Sequence, residues 1–136
     1  MDRVDADHAG EFIPIFLTLT MKNVPSAELG TAITRILQAW SRMMNKSNRR
    51  KPWRVTAGWF RSLEITYNPD TAEWHPHIHA ILLVPADYFT DADKYIDHYA
   101  RVAEWRRALR ADYDPSVDVR TIKAERAHAV AAVSKY

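Results

Sequence analysis

The segment Trp74-His75-Pro76-His77-Ile78-His79-Ala80-Ile81-Leu82-Leu83 sets three of the chain's 6 histidines at alternate positions. Residues two apart on an extended strand share a face, so His75, His77 and His79 point the same way. Ile78, Ala80, Leu82 and Val84 then form a core-facing row on the other side. Adjacent imidazoles on one face make a chelate for a divalent metal. The preceding segment offers a third ligand. From Thr56 to Tyr67, Trp59, Arg61, Leu63, Ile65 and Tyr67 face one way, and Phe60, Ser62, Glu64 and Thr66 the other. Asn68-Pro69-Asp70-Thr71 between the two segments is a turn sequence. A hairpin closed about Asp70-Thr71 sets opposite each other residues whose numbers sum to about 141, and a slip of one would turn Glu64 to the wrong face. Glu64 then faces His77, with His79 diagonally adjacent. A lone histidine here would be an ordinary polar-face residue; three at alternate positions opposite an acid point to a metal site. His75 is the weaker member, an additional ligand or a group behind the ligands. Two imidazoles and a carboxylate suit Mn2+, Mg2+ or Zn2+, with positions left open for water and substrate.

The elements that must position these groups follow from the pattern. Residues 1–11 lack periodicity and read as a flexible lead-in. Phe12 to Thr20 is β-branched and aromatic, a strand with Pro14 near its start. Pro25-Ser26 opens a helix with Ser26 as its N-cap, and Leu29, Ile33, Ile36, Leu37, Trp40 and Met44 make one apolar stripe. The helix runs into a basic loop, Lys46 to Arg54. The second strand of the hairpin spans Trp74 to Val84. Asp91 to Tyr113 reads as a second amphipathic helix, with Tyr95, Tyr99, Val102 and Leu109 inward, ended by Asp114-Pro115. Val117 to Ile122 reads as a strand and the alanine-rich Ala124 to Tyr136 as a helix. The order strand, helix, strand, strand, helix, strand, helix predicts an α+β fold, an antiparallel sheet of about five strands with helices packed on it, of ferredoxin or RNA-recognition type.

Composition narrows the chemistry further. The chain has 136 residues, 47% hydrophobic and 26% charged, which suits one globular domain. It has no cysteine, so disulfides and thiolate metal sites are excluded. Only 3 glycines are present, and no glycine-rich phosphate loop can be built. No apolar run reaches the roughly 20 residues of a membrane helix. The polar start Met1-Asp2-Arg3-Val4-Asp5 is no secretory signal, so a cytoplasmic protein without a membrane partner is expected. Net charge is only +2, but it is unevenly distributed. Arg42, Lys46, Arg49, Arg50, Lys51 and Arg54 lie together around Trp53, and Arg106, Arg107 and Arg110 form a second cluster. Cations neutralise phosphates and a ring can stack on an unpaired base, so the first cluster suits single-stranded nucleic acid; a solvated helix end and loop is the alternative.

His77-Ile78-His79 has the histidine-hydrophobic-histidine form of the HUH endonuclease superfamily. Phe16-Leu17-Thr18-Leu19-Thr20 resembles the first strand motif of plasmid rolling-circle replication initiators. Glu64-Ile65-Thr66-Tyr67-Asn68, followed by Trp74 to His79, is similar to the central block of the same family, and Ser134-Lys135-Tyr136 resembles its nucleophile-bearing motif. The resemblance covers 12–136 and implies a catalytic domain of a longer initiator. It implies a metal held by His77, His79 and Glu64, and a tyrosine, Tyr136, that attacks a backbone phosphate of single-stranded DNA at an origin hairpin. The products would be a 5′-phosphotyrosine bond and a free 3′ hydroxyl for host replication proteins. Arg49, Arg50, Lys51, Arg54 and Lys135 would contact DNA. One position departs from the family pattern: a glutamate one helical turn before the tyrosine is replaced by Ala132, which implies slow hydrolytic release of the covalent intermediate. Other readings are a single-tyrosine transposase or relaxase of the same superfamily, or a non-catalytic origin DNA-binding module.

Overall fold

The structure, a computed structural model, describes residues 11–45 and 56–121. Five strands, β1 (Phe12–Thr20), β2 (Val24–Pro25), β3 (Gly58–Asn68), β4 (Glu73–Pro85) and β5 (Val117–Thr121), accompany two helices, α1 (Leu29–Met43) and α2 (His98–Leu109). All pairings are antiparallel. β4 lies between β1 and β3, and β5 flanks β1 on its far side. The four long strands therefore run β3-β4-β1-β5, the order of a ferredoxin-like α+β sheet. β2 pairs with the beginning of β4, Val24 opposite Trp74, and extends the edge that β1 occupies.

The strict alternation of β1 and β4 separates the two faces of the sheet. Ile15, Leu17 and Leu19 from β1 and Ile78, Ala80, Leu82 and Val84 from β4 are fully buried under the helices. α1 contributes Ala32, Ile36, Ala39, Trp40 and Met43, and α2 contributes Trp105, Ala108 and Leu109. The small residues of α1 let the helix approach the sheet closely, and Trp40 and Trp105 fill the remaining depth. Trp105 also donates its Nε1–H to the Thr20 carbonyl at 2.7 Å, fastening the helix layer to the end of β1. Pro14 causes no conflict, because β5 pairs with β1 from Ile15 onward.

Several expected boundaries move. The second helix begins at His98, not Asp91, because Asp97 is its cap: the carboxylate accepts from Ala100 N–H. The residues before it form turns organised by Asp87 and Asp91, which accept from Tyr95, Lys94 and Thr90 through their carbonyls. The helix closes at Arg110, which takes the left-handed conformation at φ 58°, before Asp114-Pro115 is reached. Its buried face is Arg101, Trp105, Ala108 and Leu109; Tyr99 is 84% exposed and Tyr95 lies at the surface. Ser26 does not cap the first helix. A short 3-10 turn, Ser26–Glu28, precedes α1, and the Ser26 hydroxyl instead accepts from Trp74 Nε1–H at 2.9 Å. The expected lead-in up to residue 10, the basic loop and the final helix lie outside the described residues.

Candidate metal centre

The hairpin register decides which side chains meet. β3 and β4 pair with Gly58 opposite Leu83 and Asn68 opposite Glu73, which sets Glu64 opposite His77 and Ser62 opposite His79. The turn is formed by the four residues 69–72, with Ala72 at φ 57° and Asp70 N–H bonded to the Asn68 side chain. His75, His77 and His79 share the sheet face away from the helices. Their rings stand in a file, 5.1 Å between the first two centroids and 4.8 Å between the second two.

Glu64 Oε1 lies 2.6 Å from His77 Nε2 and 3.2 Å from His79 Nε2. Glu64, His77 and His79 form a group that could hold a metal ion, each presenting one ligand atom within 4.8 Å of the others. The distances fit such an ion. Donors bound at about 2.1 Å and at right angles stand about 3 Å apart, between the two values seen. The donor chemistry, two imidazole nitrogens and a carboxylate oxygen, suits a borderline or hard divalent cation.

Each imidazole is held from behind, which is how ring orientation and tautomer are fixed at metal sites. His77 Nδ1 lies 3.1 Å from the His75 carbonyl. A carbonyl only accepts, so Nδ1 carries a proton, and Nε2 is the atom that faces Glu64, donating to the carboxylate when it too is protonated and free to bind a metal when it is not. His79 Nδ1 meets Thr18 Oγ1 at 3.3 Å, and Phe16 packs against the same ring, 5.5 Å between centroids. Hydrogen bonds from His77, and then from His79, hold the Glu64 carboxyl below its usual range, so it stays ionised. Burial first, and then the neighbouring His77, lowers His75. Its Nδ1 is 2.7 Å from Asn23 Oδ1, outside the group of three, and it stacks behind His77. Glu64's side chain is 54% exposed while His77's is 10%, so the centre opens to solvent on the carboxylate side.

Three supporting groups escaped the sequence reading. Thr18 and Phe16 reach the histidines through the pairing of β1 with β4, in which Thr18 stands opposite His79 and Thr20 opposite His77, and Asn23 does so from just before β2, whose Val24 stands opposite Trp74. No turn joins these strands, so no local spacing reveals their register. Arg42, grouped with the basic stretch in the sequence, has a different role: its guanidinium donates twice to the Ala108 carbonyl, at 2.6 and 3.0 Å. Arg35 likewise donates to the carbonyls of Leu109 and Arg110, and the two arginines of α1 thereby cap the end of α2. Tyr136, Lys135, Arg49, Arg50, Lys51 and Arg54 lie outside the described residues.

The sequence has relatives among known proteins. Residues 1–136 match the replication-protein family Rep_1. The chain is 37% identical over 110 residues to a protein named Protein rep from Streptococcus pneumoniae, covering 80% of this chain and 33% of that protein. It is 34% identical over 126 residues to a Protein rep from Lactiplantibacillus plantarum, covering 92% and 38%. A Replication protein from Staphylococcus aureus is 32% identical over 110 residues, covering 80% and 46%. The chain thus spans between a third and a half of the length of these curated relatives. No solved structure matches it. The chain belongs to the Rep_1 family of replication proteins. Among the described residues, no helix is long and apolar enough to cross a membrane.

Proposed function

We propose that the chain is the nicking and joining domain of a plasmid replication initiator, acting in the cytoplasm on single-stranded DNA at an origin hairpin. The observation that carries this reading is the convergence of Glu64, His77 and His79 on one open sheet face. An open face, unlike a deep pocket, accepts an extended polymer. The relatives' names favour a replication initiator over a transposase or relaxase of the same superfamily.

In this reading Tyr136 is the nucleophile. Its hydroxyl oxygen attacks the scissile phosphorus, the phosphorus–O3′ bond breaks, the phenol proton leaves and the departing 3′ oxygen takes up a proton. The result is a 5′-phosphotyrosine and a 3′ hydroxyl from which host replication proteins can extend; attack by a 3′ hydroxyl on the same phosphorus reverses the step and joins. A phenol with a pKa of about 10 is a poor nucleophile at neutral pH. His77, His79 and Glu64 would hold a divalent metal, Mn2+ or Mg2+ with Zn2+ also suited, which supplies charge withdrawal from the phosphate. Thr18 and the His75 carbonyl keep the two Nε2 atoms turned toward Glu64, so the ligands need no rearrangement. Asn23 and the stacked His75 brace His77 from the side. Arg49, Arg50, Lys51, Arg54 and Lys135 contribute phosphate contacts along the strand.

The test is a covalent-adduct assay with a partly randomised single-stranded oligonucleotide pool and Mn2+. Attachment at Tyr136, lost in Tyr136→Phe and in His77→Ala, is the expected result. DNA binding with no adduct under any metal would overturn nicking and leave a DNA-binding module.

A further inference from the structure

A second basic feature lies away from the metal centre. The outer face of α2 and the segment leading into β5 enclose a cleft of about 660 Å³, whose lining includes Tyr99, Arg106, Arg107, Arg110, Asp114 and Ser116. Tyr99, Ala103, Arg107 and Arg110 recur at helical spacing and are all exposed. Asp114, the single acid among the lining residues, is bonded to Arg106 at 2.8 Å and so is neutralised within the cleft wall. Among the described residues the acid that Arg107 reaches is Glu104 of its own helix, 3.3 Å away, with the arginine side chain 55% exposed. The Arg110 guanidinium has no acidic partner among the described residues. Arg35 and Arg42 add two further positive charges at the same end of α2. Positive charge is concentrated here enough that Arg110 and Arg35, after burial, lower Arg42.

We propose that this cleft binds the phosphate backbone of paired DNA, with Arg107 and Arg110 as the phosphate-contacting cations. The proposal rests on the chain acting on DNA, and it adds a surface and a partner form to that reading. The occupant follows from the chemistry of the walls. Cations on a rigid helix neutralise a regularly spaced backbone, whereas unpaired bases need successive aromatic platforms. The cleft offers two neighbouring exposed rings at one end, His98 and Tyr99, and no row of platforms along its length. Small Ala103 between Tyr99 and Arg107 leaves room for a sugar-phosphate chain to approach the helix. One wall of the cleft adjoins the edge of the sheet. Ser116 accepts from the Thr20 hydroxyl and backbone N–H, and Thr20 stands opposite His77.

The experiment measures binding of the full chain to a duplex of about twenty base pairs and to a dT single strand of equal length, by anisotropy between about 50 and 200 mM salt. Two lost phosphate contacts reduce the slope of log K against log salt by about 1.8 for a duplex. Arg107→Gln/Arg110→Gln should show that reduction on the duplex, and Arg107→Gln, an exposed change, half of it. An unchanged duplex slope in both variants overturns the proposal, as does a reduction confined to the single strand. His77→Ala, compared in parallel, separates the two readings. With wild-type duplex slope and no adduct, it shows that the cleft works independently of the metal centre. Adduct formation absent even in the unaltered chain would sink nicking while the arginine slopes still decide the cleft.

Discussion

Thr18 and His79, 61 residues apart in the chain, meet across the β1–β4 pairing with Oγ1 and Nδ1 at 3.3 Å. The contact orients an imidazole of the Glu64–His77–His79 group from a strand that contributes no member of that group. Thr18→Val keeps the shape and removes the hydroxyl, and should weaken Mn2+ affinity by about 10- to 100-fold, as losses behind metal-bound histidines do. Titration calorimetry checks this. Thr18→Ser should retain most of the affinity, and equal weakening in both variants would point to packing.

Glu64→Gln should abolish the response to metal while leaving the fold intact, because the side chain is half exposed and the carboxylate is replaced by a poorer ligand. A ligand present at a hundredfold excess over its Kd stabilises the folded state by about 2.7 kcal/mol. Thermal melts with and without Mn2+ should show that stabilisation in the unaltered protein and almost none in the variant.

Trp105 is fully buried and tied to the Thr20 carbonyl. Trp105→Ala should cost about 3–5 kcal/mol in urea unfolding, the range for large aromatic truncations. A loss under 1 kcal/mol would mean that α2 contributes little to the core.

Arg42→Ala removes both hydrogen bonds to the Ala108 carbonyl at the end of α2, and should destabilise by about 1–2 kcal/mol. Arg42→Lys should recover only part of this, since an ammonium lacks the planar fork that makes both contacts. Chemical denaturation distinguishes these outcomes, and full recovery with lysine would show that charge alone matters.

Ala132→Glu restores the acid that the resemblance to rolling-circle initiators assigns to hydrolysis. Under the nicking proposal, single-turnover gels should show faster loss of the Tyr136 adduct to water, with adduct formation unchanged. Equal lifetimes would remove Ala132 as the cause of slow release.

The sequence was most legible where contacts are local. The Glu64–His77 pairing could be counted across a four-residue turn, and the alternation of Ile78, Ala80, Leu82 and Val84 separated core from site without ambiguity. Contacts that join distant segments were opaque. Thr18 and Asn23 have no spacing relation to the histidines they touch. The start of α2 was hidden because Asp91 and Asp97 are equally good caps and Tyr95 and Tyr99 mimic a helical stripe. The true inner face includes Arg101, a residue type that pattern reading puts outside. Its guanidinium is buried against the Tyr88 hydroxyl, which no local rule supplies. Tyr136 and the basic loop are outside the described residues, and their roles rest on the sequence.

β4 carries its ligands and its core residues on alternate positions of one strand. Inserting or deleting a single residue near its start would, unless a bulge absorbed it, swap the two sets beyond that point, exposing Ile78, Ala80, Leu82 and Val84 while driving His77 and His79 into the apolar layer. A shift of register in this strand therefore acts on the core and on the Glu64–His77–His79 group together.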